Sequence, residues 1–253
     1  MTDLDKTRST DELTDYLSRI EPPGPGPYRR PRDSATLIVL DGAPSDPKVL
    51  LGKRNERHAF MPGKFVFPGG AVDATDSRMD VAGTLDPGSE RRLRYRLSRP
   101  SAARIRALAL AAIRETCEET GLLIGRRDGA AAGAPSPAWS LFVDSGLRPN
   151  LGALTFVARA ITPPGRPRRF DARFFVAHRR DIAAELPSVV GPDSELVELR
   201  WLSFADARET NLPLITRVVL SEIESRLRAD SFRHPPVPFY YYRRGRAHRD
   251  EID

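Results

Sequence analysis

The run 101–120, read at helical spacing, constrains this chain more than any other stretch. At about 100° per residue, Ile105, Leu108, Ala109, Ala112, Ile113 and Thr116 share one face, the stripe of a helix packed on a core. Glu115 and Glu119 (i, i+4) and Glu118 gather along one flank of that stripe, with Glu119 overlapping its edge. Gly121 follows, where a left-handed residue usually closes a helix. Three carboxylates on one flank repel one another, and one at the margin of a buried face is poorly solvated. A hard divalent cation relieves both problems, because it takes several oxygens and tolerates dense negative charge. Taken alone, a Glu-Glu pair near a helix end is more often a solvated face. The residues around the glutamates decide between the two readings.

Arg114-Glu115-Thr116-Cys117-Glu118-Glu119-Thr120-Gly121-Leu122 resembles the R-E-U-x-E-E-x-G-U half of the Nudix box. Gly69-Gly70 after Phe67-Pro68 resembles its opening. Six positions after Gly70 the pattern asks for an acidic residue, and Asp76 stands there in place of the usual glutamate. Arg114 lies 38 positions beyond Asp76, where eight are usual, so an insertion of 30 residues splits the box. Thr116 replaces the usual aliphatic residue.

The resemblance implies a Nudix-type α/β/α sandwich with a mixed β-sheet, and hydrolysis of a nucleoside diphosphate linked to another moiety. It further implies Mg²⁺ or Mn²⁺ held by Glu115, Glu118, Glu119 and the Gly69 carbonyl, with Arg114 orienting a box carboxylate. A carboxylate would deprotonate the attacking water; Glu115, Glu118 and Glu198 are all candidates. Family members commonly carry an acid before a Trp-bearing strand, here 194–202 with Trp201; Glu195 or Glu198 could fill that place, and Glu198 is the positional match.

Upstream, Leu50-Leu51, Arg54, Gly63 and Phe67-Pro68-Gly69-Gly70 resemble the signature of the coenzyme A-diphosphatase branch, although Gly52 and Asn55 stand where that signature prefers hydroxyl residues. The implied substrate is a coenzyme A or acyl-coenzyme A diphosphate, with Arg54 and Gly70 beside it. The stiff loop 162–169 adds Arg168 and Arg169 as candidate diphosphate contacts. The rivals are ADP-ribose, NADH, dinucleoside polyphosphates or oxidised nucleotides, and, from another class, a non-catalytic nucleotide- or RNA-binding module.

The remaining chain organises around this centre. Residues 1–32 read as an N-terminal arm that could serve a homodimer contact, 33–230 as the catalytic domain with an insertion at 77–100, and 231–253 as a C-terminal tail. The insertion carries Arg91, Arg92, Arg94, Arg96 and Arg99 around Tyr95, either a lid over substrate or a solvated loop. Strands are expected at 35–40, 48–54, 154–161 and 173–177, and helices at 138–144, 203–208 and 214–227. Of 40 basic residues only four are lysine, and the net charge is +6. That balance suits an anionic small-molecule partner, and a GC-rich coding bias explains it equally well. The aromatic, basic tail from Tyr240 could stack on nucleic acid, but a tail wrapping the domain is the commoner explanation. No apolar run reaches membrane-spanning length, and a lone Cys117 suits a reducing compartment, so a cytoplasmic protein without membrane contact is expected.

Overall fold

A computed structural model describes residues 10–43, 45–58, 60–129, 132–228 and 236–253. Residues 1–9 of the expected arm and 231–235 of the expected tail lie outside them. The chain opens with helix α1 (Thr10–Ile20), then strands β1 (Arg32–Asp41), β2 (Lys48–Arg54), β3 (Phe65–Val66) and β4 (Gly69–Ala71). Helix α2 (Pro87–Leu93) lies within the insertion, and α3 (Ala102–Thr120) is the glutamate-bearing helix. There follow β5 (Leu122–Arg126), α4 (Pro137–Asp144), β6 (Arg148–Pro149), β7 (Thr155–Ile161), β8 (Phe170–His178), β9 (Ile182–Glu185) and β10 (Leu196–Ser203). Helices α5 (Phe204–Glu209) and α6 (Leu214–Arg228) precede a closing hairpin, β11 (Val237–Arg243) and β12 (Arg246–Ile252).

One mixed sheet runs β10-β2-β1-β8-β7-β11-β12, with β3 paired to β2 and β4 to β1. The β1–β8 and β7–β11 pairs are parallel; the other ladders are antiparallel. A smaller sheet, β6-β5-β9, lies beyond the end of α3. Strand β1 is buried on both faces, which is why its sequence is a continuous apolar run rather than an alternation. Leu37 and Val39 pack into the core on the α3 side, while Ile38 and Leu40 pack into a second core with α1, α5 and α6. This is the expected α/β/α sandwich.

Helix α3 begins where the Ser101 hydroxyl accepts from the Arg104 amide (3.1 Å) and ends at Gly121, whose φ of 76° is left-handed. All six residues of its predicted stripe are buried, but so are Ala107, Leu110 and Cys117 around the rest of the helix. The other side is covered because Met79, Leu93, Trp139 and Phe142, from the insertion and α4, pack into the same core.

The insertion folds against the body rather than standing off as a charged loop. Ser89 and Leu93 are buried, and the Ser89 hydroxyl accepts from the Phe156 amide of β7. Arg94 pairs with Glu90, and Arg96 pairs with Asp250 of the hairpin while lying over the rings of Tyr95 and Tyr241. Residues 237–252 complete the large sheet, turning through Arg244 and Gly245, both with positive φ. Among the described residues no helix is long and apolar enough to cross a membrane.

Gly121→Ala should destabilise the fold by about 1–3 kcal/mol, because a Cβ there meets the Leu186 carbonyl at 2.6 Å in a left-handed conformation. Chemical denaturation checks this, and an unchanged midpoint would refute it.

Candidate active site

The two halves of the split motif meet through a buried ion pair. Asp76 is fully buried and accepts from Arg114 Nε (2.8 Å) and Nη2 (3.2 Å), a forked contact that spans the insertion. Arg114 Nη2 also donates to the Ala71 carbonyl (2.9 Å), and Nη1 donates to Glu115 (2.9 Å) and Glu118 (2.6 Å). Burial disfavours the Arg114 charge, but Asp76, Glu115 and Glu118 outweigh it and hold the guanidinium above its ordinary range. One side chain therefore ties β4, the start of the insertion and the end of α3 together.

Strand β4 brings its glycines against the helix. The Gly69 amide donates to Glu119 (2.9 Å), and a Cβ at Gly70 would lie 2.4 Å from the Glu115 carboxyl carbon. Only a residue without a side chain lets strand and carboxylate approach so closely. Burial raises the Glu119 pKa well above its usual value; Glu195 and Glu115 reinforce this, while the Gly69 amide and Arg54 oppose it. Glu115 is raised too, first by burial and against the pull of Arg114.

Glu115, Glu118, Glu119 and Glu195 line one cavity of about 270 Å³ with Val189 and Ser194. Four carboxylates share this space with Arg114 and Arg54 as the guanidinium partners, and such an oxygen-rich donor set fits a hard divalent cation. Among the described residues, no three acidic, histidine or cysteine side chains stand in a ready ligating arrangement. Arg114 accounts for part of this, since it lies between Glu115 and Glu118. Cys117 stays out of the chemistry: burial, with a contribution from Glu118, pushes its thiol up to about 12.

Two of the candidate residues, Glu198 and Arg169, stand away from the acidic cavity and its groove. Glu195, not Glu198, faces the acidic cavity; Glu198, half-buried on β10, pairs instead with Arg200 (2.5 Å). The β10–β2 register shifts between Leu196 and Glu198, an irregularity that sequence alternation does not reveal. Arg54 lines the groove that adjoins the acidic cavity, and its guanidinium is engaged there. It is buried and donates to Glu195 (2.5 Å), with His58 Nδ1 2.9 Å away. Arg168 and Gly70 do line the groove that adjoins the acidic cavity, but Arg169 points elsewhere. Its guanidinium donates to the carbonyls of Thr162, Pro163 and Arg29 and lies 5.1 Å over Tyr28.

No protein-family model matches the chain. A Nudix hydrolase from Klebsiella aerogenes, NudL, of uncharacterised activity, is 34% identical over 82 residues, which cover 68% of that protein and 31% of this chain. The chain belongs to the Nudix hydrolase family. A crystal structure of a Nudix hydrolase from Alicyclobacillus acidocaldarius superposes on it with a TM-score of 0.56 and 28% identity, covering 76% of this chain and 90% of that one. The human acyl-coenzyme A diphosphatase NUDT19 is 28% identical over 253 residues, 75% of this chain. This Nudix chain spans 65% of the length of that human relative.

Two outcomes test the site as built. Asp76→Ala leaves the Arg114 charge buried without its forked partner and should destabilise the chain by about 3–5 kcal/mol in denaturant unfolding; Asp73→Ala, an exposed control, should not. For Glu119, a raised folded pKa means that its contribution to stability is complete below the usual 4.5 and is lost as pH rises through the folded value. Glu119→Gln should therefore gain melting temperature over the parent as pH climbs, with the gap closing under acid. Parallel curves for the two proteins across pH would contradict the assignment.

Proposed function

We propose that this Nudix chain hydrolyses the diphosphate of a coenzyme A or acyl-coenzyme A molecule. The observation that carries the reading is the acidic cavity against the Gly69-Gly70 strand end, opening directly into a groove of about 380 Å³. The name of the human relative and the upstream signature around Leu50-Leu51 and Arg54 support the choice of substrate class.

In this reading Glu115, Glu118 and Glu119, with the Gly69 carbonyl, hold Mg²⁺ or Mn²⁺. The bound cation offsets the diphosphate charge and polarises the phosphoryl oxygens. The protein supplies the rest. Arg114 fixes Glu115 and Glu118 in place through its anchorage on Asp76. Gly70 leaves room for the carboxylate of Glu115 beside the strand. Glu195, held by Arg54 with the His58 ring 3.6 Å away, would accept the proton of the attacking water. Water adds across the P–O–P bridge: its oxygen joins one phosphorus, the bridging oxygen leaves with the other, and the products are 3′,5′-ADP and the phosphorylated pantetheine arm.

Glu195→Gln should lower kcat by about 10²–10⁴, whereas Glu198→Gln should stay within about twofold; the reverse order would move the base to Glu198. Glu118→Gln should abolish turnover while the protein still binds nucleotide. Incubation with coenzyme A, acetyl-coenzyme A, ADP-ribose, NADH and a dinucleoside polyphosphate, with Mg²⁺ or Mn²⁺, tests the substrate. Release of 3′,5′-ADP is expected. Cleavage of the other compounds while coenzyme A stays intact would sink the substrate class and leave the fold assignment standing.

A further inference from the structure

The groove beside the acidic cavity continues into a second one of about 380 Å³, and the two share Phe60, Thr162, Arg168, Ala172, Phe174 and Ile215 among their walls. The first limb holds Glu115, Glu119 and Glu195; the second is predominantly apolar and ends at Leu17, Tyr240 and Tyr242. Strand register explains why a continuous trough exists here. Ala71 of β4 pairs with Ser34 of β1, Ser34 with Ala172 of β8, Ala172 with Ala160 of β7, and Ala160 with Tyr240 of β11. This single row crosses the strands and carries only small side chains until it reaches the tyrosine. Two residues along β8 in either direction, on the same face, stand Phe170 and Phe174. They flank Ala172 as walls, and the Phe60 ring meets Phe170 edge-on at 6.0 Å. Four strand spacings make the floor about 19 Å long.

The far end is built by the chain's two extremities. The Tyr242 hydroxyl donates to the Leu17 carbonyl of α1 (3.1 Å), and the Ala247 amide of β12 donates to the Ser18 hydroxyl (2.8 Å). The trough therefore runs from the glycine strand end to a predominantly apolar far end, where Glu21 and Arg166 also stand.

We infer that the trough seats a flexible, mainly apolar arm carried by the substrate on the far side of its diphosphate, and that Ala160 and Ala172 set how long an arm is accepted. The inference rests on the diphosphatase reading above and adds the feature by which one diphosphate is preferred over another. Binding energy comes from methylene groups leaving water, so the preference grows with arm length until the floor is filled.

The test uses the full chain with Mn²⁺ and a series of ADP monoalkyl esters bearing ethyl, octyl and dodecyl chains, alongside coenzyme A and ADP-ribose. The kcat/KM should rise at least about tenfold from ethyl to octyl, chiefly through KM, and Ala160→Phe should lower the dodecyl-to-ethyl ratio. Should the phenylalanine variant fail to fold, Ala160→Val and the parent's own length series carry the same comparison. A flat length series with coenzyme A cleaved overturns the trough and spares the substrate reading. A rising series with coenzyme A untouched supports the trough and removes coenzyme A. No cleavage of any of these diphosphates removes both.

Discussion

The Asp76–Arg114 ion pair is the contact on which the rest of the site depends. A carboxylate with no solvent access and a nearly buried guanidinium are stable together only with good geometry and every donor engaged. Here the forked contact, the Ala71 carbonyl and two glutamates occupy the Nε and both Nη groups of Arg114. The pair joins residues 38 positions apart, 30 more than the usual eight, so the insertion can be long without loosening the motif. What sits between the two halves has become part of the core: Leu93 and Met79 pack on α3 beside Trp139 and Phe142.

From that clasp the two faces of the sheet divide the work. The α3 face supplies carboxylates at the end of a long helix, and the opposite face supplies a trough floored by small residues. They meet at β4, where Gly70 leaves room for the Glu115 carboxylate and the Gly69 amide donates to Glu119. Glu195 arrives from a third direction, in the loop before β10, and Arg54 holds it there. Much of the arginine content has structural work of this kind. Arg159 and Arg173 are buried against Asp171 and Asp33, and the half-buried Arg249 pairs with Glu222. A net positive charge is therefore a poor guide to where an anion would bind on this molecule.

The sequence by itself determined the elements with strong local signals. Helix α3 was legible from its apolar period and its closing glycine, β1 from its β-branched run, β2 as the strand that returns beside it, and β7 from its own apolar run. The glutamates and the double glycine were legible because their spacing is local on one helix and one strand end. Tertiary structure alone decided what depends on distant pairing. That Asp76 meets Arg114, that Glu195 rather than Glu198 faces the cavity, that Arg54 turns to Glu195 and Arg169 to backbone carbonyls, and that Ser34, Ala172 and Ala160 line up are consequences of register. A one-residue shift along a strand sends a side chain to the other face, and nothing in the local residue pattern records which neighbour a strand will take.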